Sequence, residues 1–248
     1  MCKYCSDPSK YSDINIVASY GIKIPQNVVD HGKWLNVHPS LLPEFRGPTP
    51  LEYGLLYGKR MGITLITLNE KIDSGELYAQ LEIPYKLQPY YKTNIYHAEQ
   101  AVELLSAILP NINQIKTIPQ CGPISYTKKL DSKLAMVEFS KLDAIDIVKR
   151  YYSISHRYSL RTFWRKHLMF IHDLQEIDTP LSPGEFQIHD NFFDVGCKSG
   201  SLRISKVSRT TGILCDPKSY FNGLRYSDNH GTFNKYASEL TANEMKLQ

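Results

Sequence analysis

The stretch Leu35-Asn36-Val37-His38-Pro39-Ser40-Leu41-Leu42-Pro43-Glu44-Phe45-Arg46-Gly47 constrains this chain more than any other. An apolar run ends in an amide and an imidazole set in alternation. Pro39 then removes the backbone N–H that a further sheet rung would need, so the polar pair sits where a strand opens into a loop. In an extended segment Asn36 and His38 share one face while Leu35 and Val37 bury the other. Strand ends of this kind are where α/β proteins place their chemistry. Asn36 offers two donors for a developing oxyanion, and His38 exchanges a proton near neutral pH. Asp73 follows in the polar loop Asn69-Glu70-Lys71-Ile72-Asp73-Ser74-Gly75-Glu76, between two strand-like runs. A carboxylate there is expected to hold the imidazole in its charged form and to relay protons.

Taken singly, an Asn or a His at a strand end is more often a turn former or a satisfied polar group. Roles are read from constellations, and here three groups recur in order. Asn-x-His-Pro-Ser-Leu-Leu-Pro-x-x-x-Gly, then Gly62-Ile63-Thr64 and Asp73-Ser74-Gly75, resembles the folate-dependent formyltransferases. The match runs past the catalytic part, so the chain is most similar to the branch that formylates the methionine carried by initiator tRNA.

That resemblance implies Asn36, His38 and Asp73 as the catalytic trio, with 10-formyltetrahydrofolate as co-substrate and no metal. Tyr20, Gly21, Ser40, Leu41, Leu42, Pro43, Ile72 and Gly75 match positions that border the folate in the family. It also implies an α/β fold: a Rossmann-like formyltransferase sheet followed by a small OB-like β-barrel domain. The expected divisions are 1–119 for the catalytic part, 120–137 for a linker and 138–248 for the tRNA-holding part. The family carries further strands ahead of the region matched by Asp13 to Ser19, so the expectation is an amino-terminally truncated sheet. Two alternatives stand beside the main one. The first is a formyltransferase for a small amine such as glycinamide ribonucleotide or an amino sugar nucleotide; the second is an inactive RNA-binding remnant.

With 248 residues, 42% of them hydrophobic, the chain has enough material for a real core in one large or two modest domains. No apolar run approaches a membrane span, and no membrane partner is expected. Five cysteines at irregular spacing argue against a disulfide framework and for a reducing compartment. Cys2 and Cys5 form a Cys-x-x-Cys without the second pair a zinc site would need. Met1 to Asp13 has neither a signal-peptide pattern nor an Arg-rich amphipathic one. The Lys, Asn, Ile and Tyr bias suits an AT-rich genome, and the expected compartment is the mitochondrial matrix, with bacterial cytoplasm as the alternative. A monomer is expected.

Along the chain, Ile14 to Ser19 reads as a buried strand and Pro25 to Asp30 as a short helix. Thr49-Pro50-Leu51-Glu52 reads as a helix start with a capping box, and Gly58 as its stop. Gly62 to Leu68 and Leu77 to Pro84 read as strands. A helix capped by Thr93 or Asn94 follows, with Ala98, Ala101, Val102, Leu105 and Ile108 as its apolar face. Ser140 to Ser153 is a capped helix with Leu142, Ile145, Val148 and Tyr152 on one side.

From Lys149 through His167 there is no acidic residue, and six cations interleave with Tyr151, Tyr158, Phe163 and Trp164. A net charge of +4 permits a nucleic-acid partner, and this arc is where one is expected. Arg157, Arg161 and Arg165, on one face if helical, are the candidate tRNA contacts, with Arg46 and Lys128. Beyond Phe186, short β-rich runs recur with turns between them, which suggests a small barrel, and the tail from Ser227 reads as loosely ordered.

Overall fold

The computed structural model describes residues 13–58 and 60–233, so the Cys2/Cys5 pair and most of the polar tail lie outside it. The chain divides into two compact units, 1–129 and 130–248.

The first unit is a four-stranded sheet with helices. Its elements are β1 (Ile14–Ala18), α1 (Gln26–Val29), β2 (Lys33–His38), α2 (Pro50–Tyr57), β3 (Met61–Thr67), β4 (Leu77–Ile83) and α3 (Tyr90–Ile108). The order is β1-β2-β3-β4, with β1 parallel to β2 and the remaining pairs antiparallel. The run Met61 to Ile66 is buried at every position, as expected of a strand covered on both faces. On one side Ile63 and Leu65 pack with Ile83 and Ala101 of α3, while on another Leu42 packs with Ile66 and Leu77. At the β1 end Ile14 and Ile16 are 36% and 39% exposed, so this strand is half-covered rather than buried.

Local signals were obeyed where the backbone alone sets them. Pro50 opens α2, and Gly58 ends it in the left-handed conformation at φ 61°. The expected capping box is absent: the Thr49 hydroxyl accepts from no first-turn N–H of the helix and donates to the Lys128 carbonyl at 2.7 Å. Helix α3 starts a turn earlier than Thr93, with Pro89 as its N-cap. Its buried stripe is Thr93, His97 and Ala101, and Val102 is 62% exposed. The stripe is therefore rotated from the one expected, because the sheet face, not the count of apolar residues, selects the side that is covered.

The second unit is an antiparallel sheet: β5 (Leu160–Trp164), β6 (His167–Ile177), β7 (Glu185–Ile188), β8 (Phe193–Gly196), β9 (Ser201–Ser208), β10 (Leu214–Cys215) and β11 (His230–Thr232). Helices α4 (Ala144–Ile154) and α5 (Pro217–Asn222) accompany it. The order is β11-β7-β8-β9-β6-β5, with β10 against β9. Register shifts around Asp173 interrupt the β6–β9 ladder, the kind of irregularity that bends long strands. The core is aromatic: Phe186 stacks on Phe221 at 5.2 Å, and Trp164 meets Phe221 edge-on at 5.1 Å. Helix α4 buries Ala144, Ile147, Val148 and Ile154 and leaves Ile145 37% exposed, a face again displaced from the one expected.

Residues 160–164 form a strand, which overturns the expected helical face of Arg157, Arg161 and Arg165. The alternation Leu160, Thr162, Trp164 points inward, and that period of two wins over the i, i+4 spacing of the arginines. Residues His230 to Thr232, within the tail expected to be loose, pair with β7.

Gly75 is buried where the Asp73 loop returns to the sheet, and a Cβ there would lie 1.7 Å from the Thr67 carbonyl oxygen. Backbone cannot yield as a side-chain tip does. Gly75→Ala is therefore expected to destabilise the protein by about 1–3 kcal/mol or more, measured by urea unfolding.

Candidate active site

Strand β2 delivers Asn36 and His38 to one end of the sheet, and the loop between β3 and β4 brings Asp73 to meet them. The Asn36 side-chain amide donates to Asp73 Oδ1 at 3.2 Å. Because a carboxylate only accepts, the Nδ2 end of the amide must face it, and the second Nδ2–H is left for another acceptor. Asp73 Oδ2 accepts from the backbone N–H of Gly47 at 2.8 Å. His38 Nδ1 lies 3.5 Å from Asp73 Oδ1, and His38 Nε2 lies 3.0 Å from the Phe45 carbonyl oxygen. A carbonyl accepts only, so Nε2 carries the proton and Nδ1 faces the carboxylate. Asp73 itself has φ +53°, a left-handed conformation that an Asx residue tolerates.

His38 is 4% exposed, and burial pushes its imidazole below the usual histidine range. The Asp73 carboxylate and the Phe45 carbonyl pull it up, and the Arg46 guanidinium pushes it down, but burial is the largest effect. The resting imidazole is accordingly neutral at pH 7. This corrects the expectation that Asp73 keeps it charged: the carboxylate makes protonation accessible without making it the ground state.

The turn after Pro39 is fastened from below. Thr64 Oγ1 donates to the Ser40 carbonyl at 2.6 Å and accepts from Leu42 N at 3.1 Å, while Gln80 Nε2 donates to the Leu42 carbonyl at 2.6 Å. The Ser40 hydroxyl donates to the Glu44 carbonyl at 2.6 Å. Gly47, at φ +111°, passes so close to Thr127 that a Cβ would sit 2.8 Å from its carbonyl oxygen.

Of the positions matched to folate contacts, Ser40, Leu42 and Pro43 are buried parts of this turn. Leu41 is half-buried beneath Gly62, Tyr20 is half-buried, and Gly21 and Ile72 are exposed. A cleft of about 570 Å³ lies between Lys23, Pro25 and Gln26 on one side and Glu70 and Lys71 on the other. Among the positions matched to tRNA contacts, Arg46 is not on the surface: it is 8% exposed and gives Nε and Nη2 to Gln120 Oε1, at 3.2 and 2.7 Å. Lys128 is exposed, its backbone N–H donating to the Tyr53 hydroxyl at 3.2 Å.

In the second unit Arg157 is exposed beyond α4, and Arg161 donates to the Ser132 carbonyl at 3.1 Å. Arg165 occupies the β5–β6 turn, stacked over Trp164 at 4.6 Å and Tyr226 at 5.3 Å. The three do not form one cluster on one element. Sequence reasoning missed Gln120, whose Pro-Gln-Cys-Gly setting carries only a turn signal.

Positions 9–105 match the family described as formyl transferase. A methionyl-tRNA formyltransferase of Coprothermobacter proteolyticus is 28% identical over 86% of this chain and 72% of its own length. Those of Ehrlichia canis and Thermus thermophilus are 30% and 34% identical, and the chain spans 63% and 44% of them. Among solved structures, HypX from Aquifex aeolicus superposes with a TM-score of 0.69 at 22% identity, over 86% of this chain and 39% of that one. A crystal structure of HypX with tetrahydrofolic acid gives 0.63 at 18%, covering 84% and 38%. At these identities the solved structures establish the fold.

The forces on His38 give a signed expectation. Asp73→Asn should lower its titration midpoint further and Arg46→Met should raise it, followed by the imidazole Cε1–H resonance in NMR.

Proposed function

We infer, from the match of residues 9–105 to the formyl transferase family and from relatives named methionyl-tRNA formyltransferase, that this chain moves a formyl group from 10-formyltetrahydrofolate to the α-amine of methionine on initiator tRNA. The observation that carries this is the convergence of Asn36, His38 and Asp73 at the end of one strand. Support for the acceptor comes from relatives named methionyl-tRNA formyltransferase, which align across most of the chain. The cleft between Lys23–Gln26 and Glu70–Lys71, beside the Asp73 loop, is the proposed seat of the folate.

The amine nitrogen attacks the formyl carbon, and the carbonyl π electrons move onto oxygen. The Asn36 N–H not engaged by Asp73 is placed to donate to that oxyanion. Neutral His38 accepts a proton from the attacking amine at Nδ1, where the Asp73 carboxylate stabilises the imidazolium so formed. The proton then passes to the folate nitrogen, the C–N bond breaks, and N-formylmethionyl-tRNA and tetrahydrofolate are released. Gly47 N–H on Asp73 Oδ2 keeps the carboxylate oriented throughout.

For the second unit we propose an OB-like barrel that holds the tRNA. Arg165 on its aromatic platform and exposed Arg157 support this, because cations set among rings suit phosphate and base together. The chain is proposed to act as a monomer in the mitochondrial matrix.

Asn36→Ala should lower kcat by about a hundred- to a thousand-fold with the fold intact by circular dichroism; near-full activity removes the amide from the mechanism. Arg157→Ala and Arg165→Ala should each reduce the slope of log K against log salt for tRNA binding by about one, leaving folate binding alone. An unchanged slope places the tRNA elsewhere.

A further inference from the structure

We propose that Gln120 is a positioning residue that fixes the Asp73 loop against the turn following His38. Its side-chain amide is fully used. Nε2 donates to the Asp73 carbonyl at 2.9 Å and to the Gly75 carbonyl at 2.8 Å. Oε1 accepts both contacts from buried Arg46. Chemistry fixes this orientation, since carbonyls only accept and a guanidinium only donates.

The residue thereby ties together two loops that meet at the site from different parts of the sequence. One carries Asp73 in its left-handed conformation, and the other carries Phe45, whose carbonyl holds His38, and Gly47, whose N–H holds Asp73. The second loop is itself anchored independently of Gln120: Arg46 N donates to the Ser125 carbonyl at 3.0 Å, and Thr127 N donates to the Arg46 carbonyl at 2.7 Å. The Asp73 loop is tied to the sheet at its Thr67 and Glu76 ends and its carboxylate is held by Gly47 and Asn36, while the Asp73 and Gly75 carbonyls between them rest on Gln120. Loss of that anchor lets the carboxylate drift from Asn36 and His38, and a displacement near 1 Å at a reacting centre costs on the order of a hundred-fold in rate.

Two substitutions separate this role from simple packing. Gln120→Glu keeps an acceptor for Arg46, and strengthens that pair, but offers no donor to the two loop carbonyls. Gln120→Met keeps the length and gives up both sets of bonds. The measurements are hydrogen exchange of amides in residues 70–76, thermal midpoint, and formyl-transfer kcat against pH. The kinetic arm rests on the proposed function, and the exchange arm does not.

Both variants are expected to speed exchange in 70–76 while exchange elsewhere in residues 13–129 stays as in the unsubstituted protein. Both are expected to lose about ten- to a hundred-fold in kcat. In Gln120→Met the acid limb of kcat should also move to lower pH: of the two charged groups facing His38, Asp73, which raises its pKa, drifts away, while Arg46, which lowers it, stays held through its backbone by Ser125 and Thr127. Wild-type exchange and kcat in Gln120→Glu, with loss only in Gln120→Met, would mean that the amide serves Arg46 alone and would overturn the proposal. Absence of formyl transfer in the unsubstituted protein would reject the proposed function, and loop exchange would still decide the role of Gln120.

Discussion

A single carboxylate, that of Asp73, organises the candidate site. One oxygen receives the Gly47 backbone N–H and the other receives the Asn36 amide while facing His38. A buried charge is tolerable only when its lone pairs are taken up, and here two donors and a protonatable ring share that task. Each partner also gains from the arrangement. Asn36 has its orientation decided by a group that can only accept, and His38 has a counter-charge for a cation that burial would otherwise forbid.

The scaffold supports this geometry because the loops that carry it are anchored to the most fully buried strand of the first unit. Strand β3 is covered on both faces, and Thr64 on it receives the turn after Pro39 through two hydrogen bonds. Glycines stand where backbones approach too closely for a side chain, Gly47 against Thr127 and Gly75 against Thr67. Gln120 and Arg46 complete the link between the two site loops with side-chain bonds, in a region where neither loop has regular structure of its own.

The second unit follows a different logic. Its core is a nest of aromatic rings between Phe186, Phe193, Phe221, Phe233 and Trp164. Arg165 reaches its place over Trp164 because the β5–β6 turn puts a cation just beyond a buried ring, not because a helix aligns it with Arg157.

Much of this was legible in the residues. The alternation of Leu35 to His38 before a proline specifies a strand end with a polar pair on one face, and Pro50 with Gly58 brackets a helix. These signals act within a few residues, through backbone dihedrals and the period of side chains, so they survive without tertiary context. The covered faces of α3 and α4, the strand at 160–164, the burial of Arg46 and the service of Gln120 to Asp73 did not follow from the sequence. Each depends on groups brought together across long stretches of chain, 47 residues for Gln120 and Asp73, where apolar coverage and the pairing of polar atoms are settled by what lies opposite. The neutrality of His38 belongs with them: the ring and its carboxylate can be named from the chain, but the loss of water that outweighs the carboxylate exists only once the protein has closed around both.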